Sequence, residues 1–188
     1  EYYPVSSAQK RLYIVAQLEG VGTSYNMPGV MVIEGKLDRT RFTAAFQSLV
    51  NRHEAFRTSL MLVGGELMLQ VDDQAEFTVS YREAGEAEVA RIVKEFIQPF
   101  DLSQAPLLRV GLIKLAQNKH LLLYDMHHII SDGRSMAILV REFINLYQGQ
   151  DLPELRIQYK DFAVWQNELF KTCYLKKQEA YWLNTFSG

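Results

Sequence analysis

Apolar and polar residues along the chain alternate between two periods, and the switches between them mark the elements. Ser6 with Gln9 three residues on forms a capping-box start for a helix running to about Glu19, ended by Gly20 and Gly22. Gly29 to Gly35 is a short continuous apolar run, the pattern of a buried strand. Asp38 then caps a helix in which Phe42, Ala45, Phe46, Leu49 and Val50 share one face. The period shortens again over Thr58 to Val63 and Glu66 to Val71, two strands joined by Gly64-Gly65 in a hairpin, and Phe77, Val79 and Tyr81 alternate as a further strand. Val89, Ile92, Val93, Phe96 and Ile97 line one face of a helix over Glu86 to Ile97, stopped by Pro99.

Leu107 to Leu115 and Lys119 to Met126 read as strands turned back on each other at Gln117-Asn118. A helix follows from Arg134 to Tyr147 with Met136, Leu139, Phe143 and Ile144 inward, and Gly149 lies near its end. Two more helical stretches, Tyr159 to Phe170 and Tyr174 to Phe186, carry Trp165 and Trp182 as their largest apolar anchors. The order αβαβββαββααα predicts an α/β two-layer sandwich on a mixed, mostly antiparallel sheet. It lacks the strand-helix alternation and the glycine-rich phosphate loop of a dinucleotide fold.

Composition narrows the function classes. The 188 residues suit a single domain that buries roughly 70% of its unfolded surface. Basic and acidic residues, 20 and 22 in number, are scattered along the chain, which leaves no electrostatic footprint for nucleic acid or an anionic membrane. No apolar run approaches the ~20 residues of a membrane span. Cys173 is the only cysteine, so no intrachain disulfide forms, and with no signal-peptide pattern in Glu1 to Gly20 the expected location is the cytoplasm. Within a helical stretch, its thiol is expected to be inert.

Chemistry concentrates at Met126-His127-His128-Ile129-Ile130-Ser131-Asp132-Gly133, where a strand gives way to a loop and then a helix. Successive strand residues face opposite ways, so one histidine is expected to be structural and the other available. His128 is the candidate general base; a histidine satisfied in the core by a backbone carbonyl is the competing reading. A metal site lacks a third ligand at suitable spacing, and a serine hydrolase lacks its nucleophile elbow. Asp132, close to an apolar strand end, is expected to be buried and paired with Arg11, Arg57 or Arg134, bracing the loop rather than carrying a proton. Gly133 is expected to permit a turn, or an approach to substrate, that a Cβ would obstruct.

These residues resemble the condensation domains of non-ribosomal peptide synthetases, whose signature His-His-x-x-x-Asp-Gly is met by His127 to Gly133. Three further family motifs are matched in order by Ser6-Ser7-Ala8-Gln9-Lys10-Arg11-Leu12-Tyr13, by Arg52-His53-Glu54-Ala55-Phe56-Arg57-Thr58, and by Tyr159-Lys160-Asp161-Phe162-Ala163-Val164-Trp165. Pro99-Phe100-Asp101-Leu102 and Pro106-Leu107-Leu108-Arg109 add to the likeness, which spans essentially the whole chain. Arg134 stands where the family very often has an aromatic residue, Phe56 where leucine is usual, and Tyr13 where tryptophan is frequent.

The resemblance implies a chloramphenicol-acetyltransferase-like fold of two lobes with the active site between them. At about half the family's length, residues 1–188 correspond to the N-terminal lobe, with the C-terminal lobe absent. The implied reaction is peptide-bond formation between donor and acceptor thioesters presented on the phosphopantetheine arms of carrier proteins, as in peptide antibiotic biosynthesis. His128 matches the catalytic position, as base or positioning group, and His127 supports it. Asp132 matches the arginine-paired position, with Arg57 as the partner, and Gly133 flanks the substrate channel. The resemblance implies no cofactor or metal held by this chain. The implied partners are donor and acceptor peptidyl carrier proteins, the C-terminal lobe and adjacent synthetase modules. Two alternatives remain: a catalytically silent module that binds carriers or the partner lobe, and an epimerization-type lobe. Replacement of the histidines by aspartates sets heterocyclization domains apart.

Overall fold

The computed structural model describes residues 1–172 and 175–187. The sequence expectation for Cys173, and the start of the last helix at Tyr174, lie outside the described residues. A 4-stranded sheet has the order β2-β7-β6-β5, built from β2 (Gly29–Glu34), β5 (Ser80–Glu83), β6 (Leu108–Ala116) and β7 (Lys119–Met126). Its pairings are antiparallel except β5 with β6, so the sheet is mixed. The hairpin β3 (Thr58–Val63) and β4 (Glu66–Val71) does not join it. It forms a second, 3-stranded sheet with β1 (Tyr2–Pro4), a lead-in segment too short to show a period of its own.

Helix α2 (Arg39–Arg52) is capped by Asp38 and buries all five residues of its predicted face. Phe42 and Phe46 pack edge-on and tilted against Phe143 of α4 (Gly133–Tyr147), and these rings seal the helix layer onto β6 and β7. Helix α1 (Ser7–Ala16) has the expected capping box from Ser6 and Gln9 but ends a turn earlier than predicted. Gly20 and Gly22 follow at positive φ, 81° and 49°, where only glycine turns without strain. The expected Glu86 to Ile97 helix opens as a 3-10 turn before α3 (Val89–Phe96).

Several expectations about packing are corrected. The Gly29 to Gly35 run, expected as a buried strand, is the edge strand β2, with Val30, Met31 and Val32 exposed. Ile144, predicted inward on α4, is exposed. Trp165 of α5 (Tyr159–Lys171) and Trp182 of α6 (Lys176–Thr185) are not core anchors, being 57% and 54% exposed. Helix α6 buries none of its residues, and Tyr181, Leu183 and Phe186 stand exposed beside Trp182. An apolar helix face finds its place only against a complementary surface. Among the described residues α6 buries against none.

Candidate active site

The strand-to-helix junction after β7 is held from both sides. His127 closes an isolated antiparallel bridge with Asn26, its N–H donating to the Leu107 carbonyl, and the His128 N–H donates to the Tyr25 carbonyl at 2.8 Å. The chain then turns, the Ile130 N–H donating back to the His127 carbonyl, and enters α4. The pleat separates the two histidines as the alternation requires: His127 is buried and His128 exposed.

His127 sits between the rings of Tyr25 and Phe100, and its Nδ1 accepts the Ile129 N–H at 3.1 Å. That bond fixes the Nε2–H tautomer. Burial, with a smaller contribution from the adjacent His128, pushes its pKa down to about 4. The ring is therefore neutral near pH 7. In His128 the tautomer is the reverse. Nδ1 lies 2.7 Å from the Ser131 carbonyl oxygen, an atom that only accepts, so Nδ1 carries the proton and Nε2 presents a free lone pair.

His128 opens onto a cleft of about 260 Å³ lined also by Gln9, Glu54, Thr58, Ser135, Tyr159 and Lys160. A neighbouring compartment of about 130 Å³ shares Ser135 and Tyr159 and is bounded by His53 and Phe56. Gln9 reaches from the cap of α1 to donate to the Ile129 carbonyl at 3.4 Å, tying the opening motif to the histidine loop. Lys160 donates to Glu54 Oε1 at 2.9 Å, and this bond holds its ammonium pKa above the ordinary lysine value despite partial burial.

Asp132 is exposed rather than buried, which overturns the expected arginine pair. Its Oδ1 accepts the Ser135 N–H and the Ser135 hydroxyl, each at 2.7 Å, which makes it the N-cap of α4. Those bonds hold its carboxyl below the usual aspartate range. Arg57 is buried elsewhere, donating to the carbonyls of Val50, Asn51, Asp72 and Asp73, where it pins the end of α2 to the loop after β4. The guanidinium has enough backbone acceptors there and needs no carboxylate. Gly133 begins α4 without a positive φ, and a Cβ built on it would meet open space. No turn requires it to be glycine.

Several residues around the cleft carry no signal of their own in the periodicity. Glu142 of α4 takes both Arg52 Nε at 3.1 Å and His53 Nε2 at 2.6 Å, joining α2 to α4 under the second compartment. Burial alone would raise the Glu142 pKa, but the bonds from His53 and Arg52 outweigh it and hold the carboxyl below its ordinary value. The Gln158 side chain links the Arg52 carbonyl to the Glu54 N–H at the start of α5. Gln9, Glu54 and Lys160 fall inside the motif segments recognised by resemblance, and that is the signal by which they could be found. Asp125, in the strand before the histidines, is fully buried and accepts from Asn26 and Arg109.

Among the described residues no helix is long and apolar enough to cross a membrane. The chain is 58% identical over 187 residues to gramicidin S synthase 2 of Brevibacillus brevis, covering all of this chain and 4% of that protein. It is 50% identical over 186 residues to surfactin synthase subunit 1 of Bacillus subtilis (strain 168), covering 99% of this chain and 5% of that one. The chain thus spans a small fraction of the length of these relatives. Among solved structures, the X-domain from teicoplanin biosynthesis superposes with a TM-score of 0.87 at 25% identity over 96% of this chain and 42% of that one. The starter condensation domain of the rhizomide synthetase superposes with a TM-score of 0.86 at 20% identity, over 98% and 48%, a likeness of fold. The family model described as Condensation domain matches residues 1–188, and the chain belongs to the condensation-domain family.

Proposed function

We propose that this chain is the N-terminal lobe of a condensation domain and supplies the His128 wall of a site that joins two carrier-bound thioesters through a peptide bond. The observation that carries this reading is the state of His128: exposed at the cleft, its Nδ1–H engaged by the Ser131 carbonyl and its Nε2 without a partner among the described residues. The acceptor's amine nitrogen attacks the donor's thioester carbonyl. The carbon–nitrogen bond forms as the carbon–sulfur bond breaks, His128 Nε2 receives a proton from the nitrogen, and the departing phosphopantetheine thiolate takes a proton back. A base so placed is worth roughly 10²- to 10⁴-fold. His127 acts through His128, because its bond to the Ile129 N–H sets the turn that carries the neighbouring ring. Asp132 and Gln9 hold the same loop from α4 and α1. Gly133 matches the family position that flanks the substrate channel, and a Cβ there would enter open space.

The exposed face of α6 supports the lobe reading, since Tyr181, Trp182, Leu183 and Phe186 form an apolar surface suited to a partner lobe. A site completed by that partner loses half its positioning groups when this chain stands alone. The isolated chain is therefore expected to be inactive, whereas the whole domain, given aminoacyl donor and acceptor carriers, is expected to form dipeptidyl thioester detectable by mass spectrometry of the acceptor carrier. Absence of product from the whole domain with a panel of loaded carriers would refute the enzymatic reading. It would favour a silent module that only binds carriers.

A further inference from the structure

We propose that Glu54 is a substrate-binding residue of this site that receives an N–H of the attacking acceptor amine, and so selects amine over hydroxyl nucleophiles; this rests on the reading that the His128 cleft seats the acceptor. The lining of the cleft includes three residues with formal charge, Glu54, Asp132 and Lys160. Asp132 Oδ1 is committed to the cap of α4, and Lys160 is committed to Glu54 Oε1. Glu54 Oε2 is different. It is shielded from solvent and has no hydrogen-bond partner among the described residues. A shielded carboxylate oxygen without a donor is costly, the more so because the group is charged. The side chain as a whole is 20% exposed, and the terminal torsion of a glutamate is broad. Glu54 lines the cleft together with His128, so a turn of the carboxylate about that torsion is the movement by which Oε2 would meet a bound amine.

The chemistry of the nucleophile explains what this oxygen is for. A hydroxyl brings one transferable proton, and His128 Nε2 suffices to accept it. A neutral amine brings two N–H groups, and once one is directed at His128 the other is left needing an acceptor in the cleft. A carboxylate oxygen meets that need by accepting the N–H of the neutral, nucleophilic amine that is not directed at His128. The backbone of Glu54 is fixed independently, with its N–H on Gln158 Oε1 and its carbonyl accepting from the Thr58 hydroxyl, so the side chain projects from a rigid point.

The test uses the whole condensation domain with one donor carrier and two matched acceptor carriers, α-aminoacyl and α-hydroxyacyl. Glu54→Gln keeps the shape and the acceptor for Lys160, but it turns a donor towards the cleft. It is expected to lower kcat/KM for the amine roughly 10- to 100-fold, as befits a lost hydrogen bond to a charged group, and to change the hydroxyl rate by no more than about 3-fold. Lys160→Met removes the half-buried ion pair and leaves the carboxylate, and is expected to keep the amine-to-hydroxyl ratio within about 3-fold of wild type, because the pair is lost to both acceptors alike. Where the hydroxyacyl carrier gives too little product, the ratio of dissociation constants of the two acceptor carriers is expected to shift in the same sense. An unchanged ratio in Glu54→Gln, or equal losses with both acceptors, would overturn the assignment. Loss of both products in His128→Ala with wild-type activity intact shows that the site reading stands, so a failure at Glu54 is separable from a failure of that reading.

Discussion

Replacing Asp132 with alanine removes the oxygen that accepts both the Ser135 N–H and the Ser135 hydroxyl, and so uncaps the 15-residue helix α4. Loss of an N-cap costs about 0.5–2 kcal/mol. A central value of about 1 kcal/mol corresponds to a fall in Tm of about 2–4 °C for a chain of this size. A buried aspartate–arginine pair would behave otherwise, since breaking one strands the partner at about 3–5 kcal/mol. Thermal unfolding followed by circular dichroism separates the two, with Asp132→Asn as the control, because asparagine caps as well as aspartate. The bonds from Ser135 hold the folded carboxyl below its unfolded value. The ionised cap therefore contributes in full above the ordinary aspartate pKa of about 3.9, and its contribution fades as pH falls through the lower folded value. The gap between wild type and Asp132→Ala should close in acid. A loss of 3–5 kcal/mol at neutral pH, or an Asp132→Asn variant as unstable as Asp132→Ala, would refute the capping account.

Three further outcomes are expected. Because burial pushes His127 down to about 4, its neutral form is favoured by folding: stability is full above the unfolded pKa of about 6.5 and falls by up to about 3 kcal/mol as pH drops towards 4, and denaturant titrations of His127→Gln should lack that component. Arg57→Met should strand the carbonyls of Val50, Asn51, Asp72 and Asp73 and cost about 2–4 kcal/mol in urea unfolding, while the kcat of the folded fraction stays near wild type. Gly133→Ala should leave Tm unchanged or slightly raised, since its Cβ meets open space, and a fall in peptide-forming rate without a fall in stability would mark the channel role.

Much of the fold was legible because burial imposes period on the chain. The face of α2 and the pair β6 and β7 follow directly from the spacing of their apolar residues. The segments that escaped lack that constraint. β1 has only three residues, and β5 lies three residues beyond where the alternation of Phe77, Val79 and Tyr81 begins. Trp165 and Trp182 were expected inside because an amphipathic helix declares an apolar face, yet the pattern does not say whether the covering surface lies within the same chain. The two-residue pleat predicts that one histidine is structural and the other available, and the resemblance assigns the catalytic position to His128. Asp132 is different, because adjacency to an apolar strand does not imply burial for a residue that stands at the start of a helix. An aspartate before a helical run, with Ser135 three residues on, carries its own capping signal.

The most direct test of the site is a single-turnover measurement on the whole condensation domain with pre-loaded donor and acceptor carriers, comparing wild type with His128→Ala and His127→Ala. Loss of roughly 10²- to 10⁴-fold in the condensation rate on removing His128, with carrier binding and Tm preserved, is the predicted result. A His128→Ala variant that forms the peptide bond at the wild-type rate would contradict it.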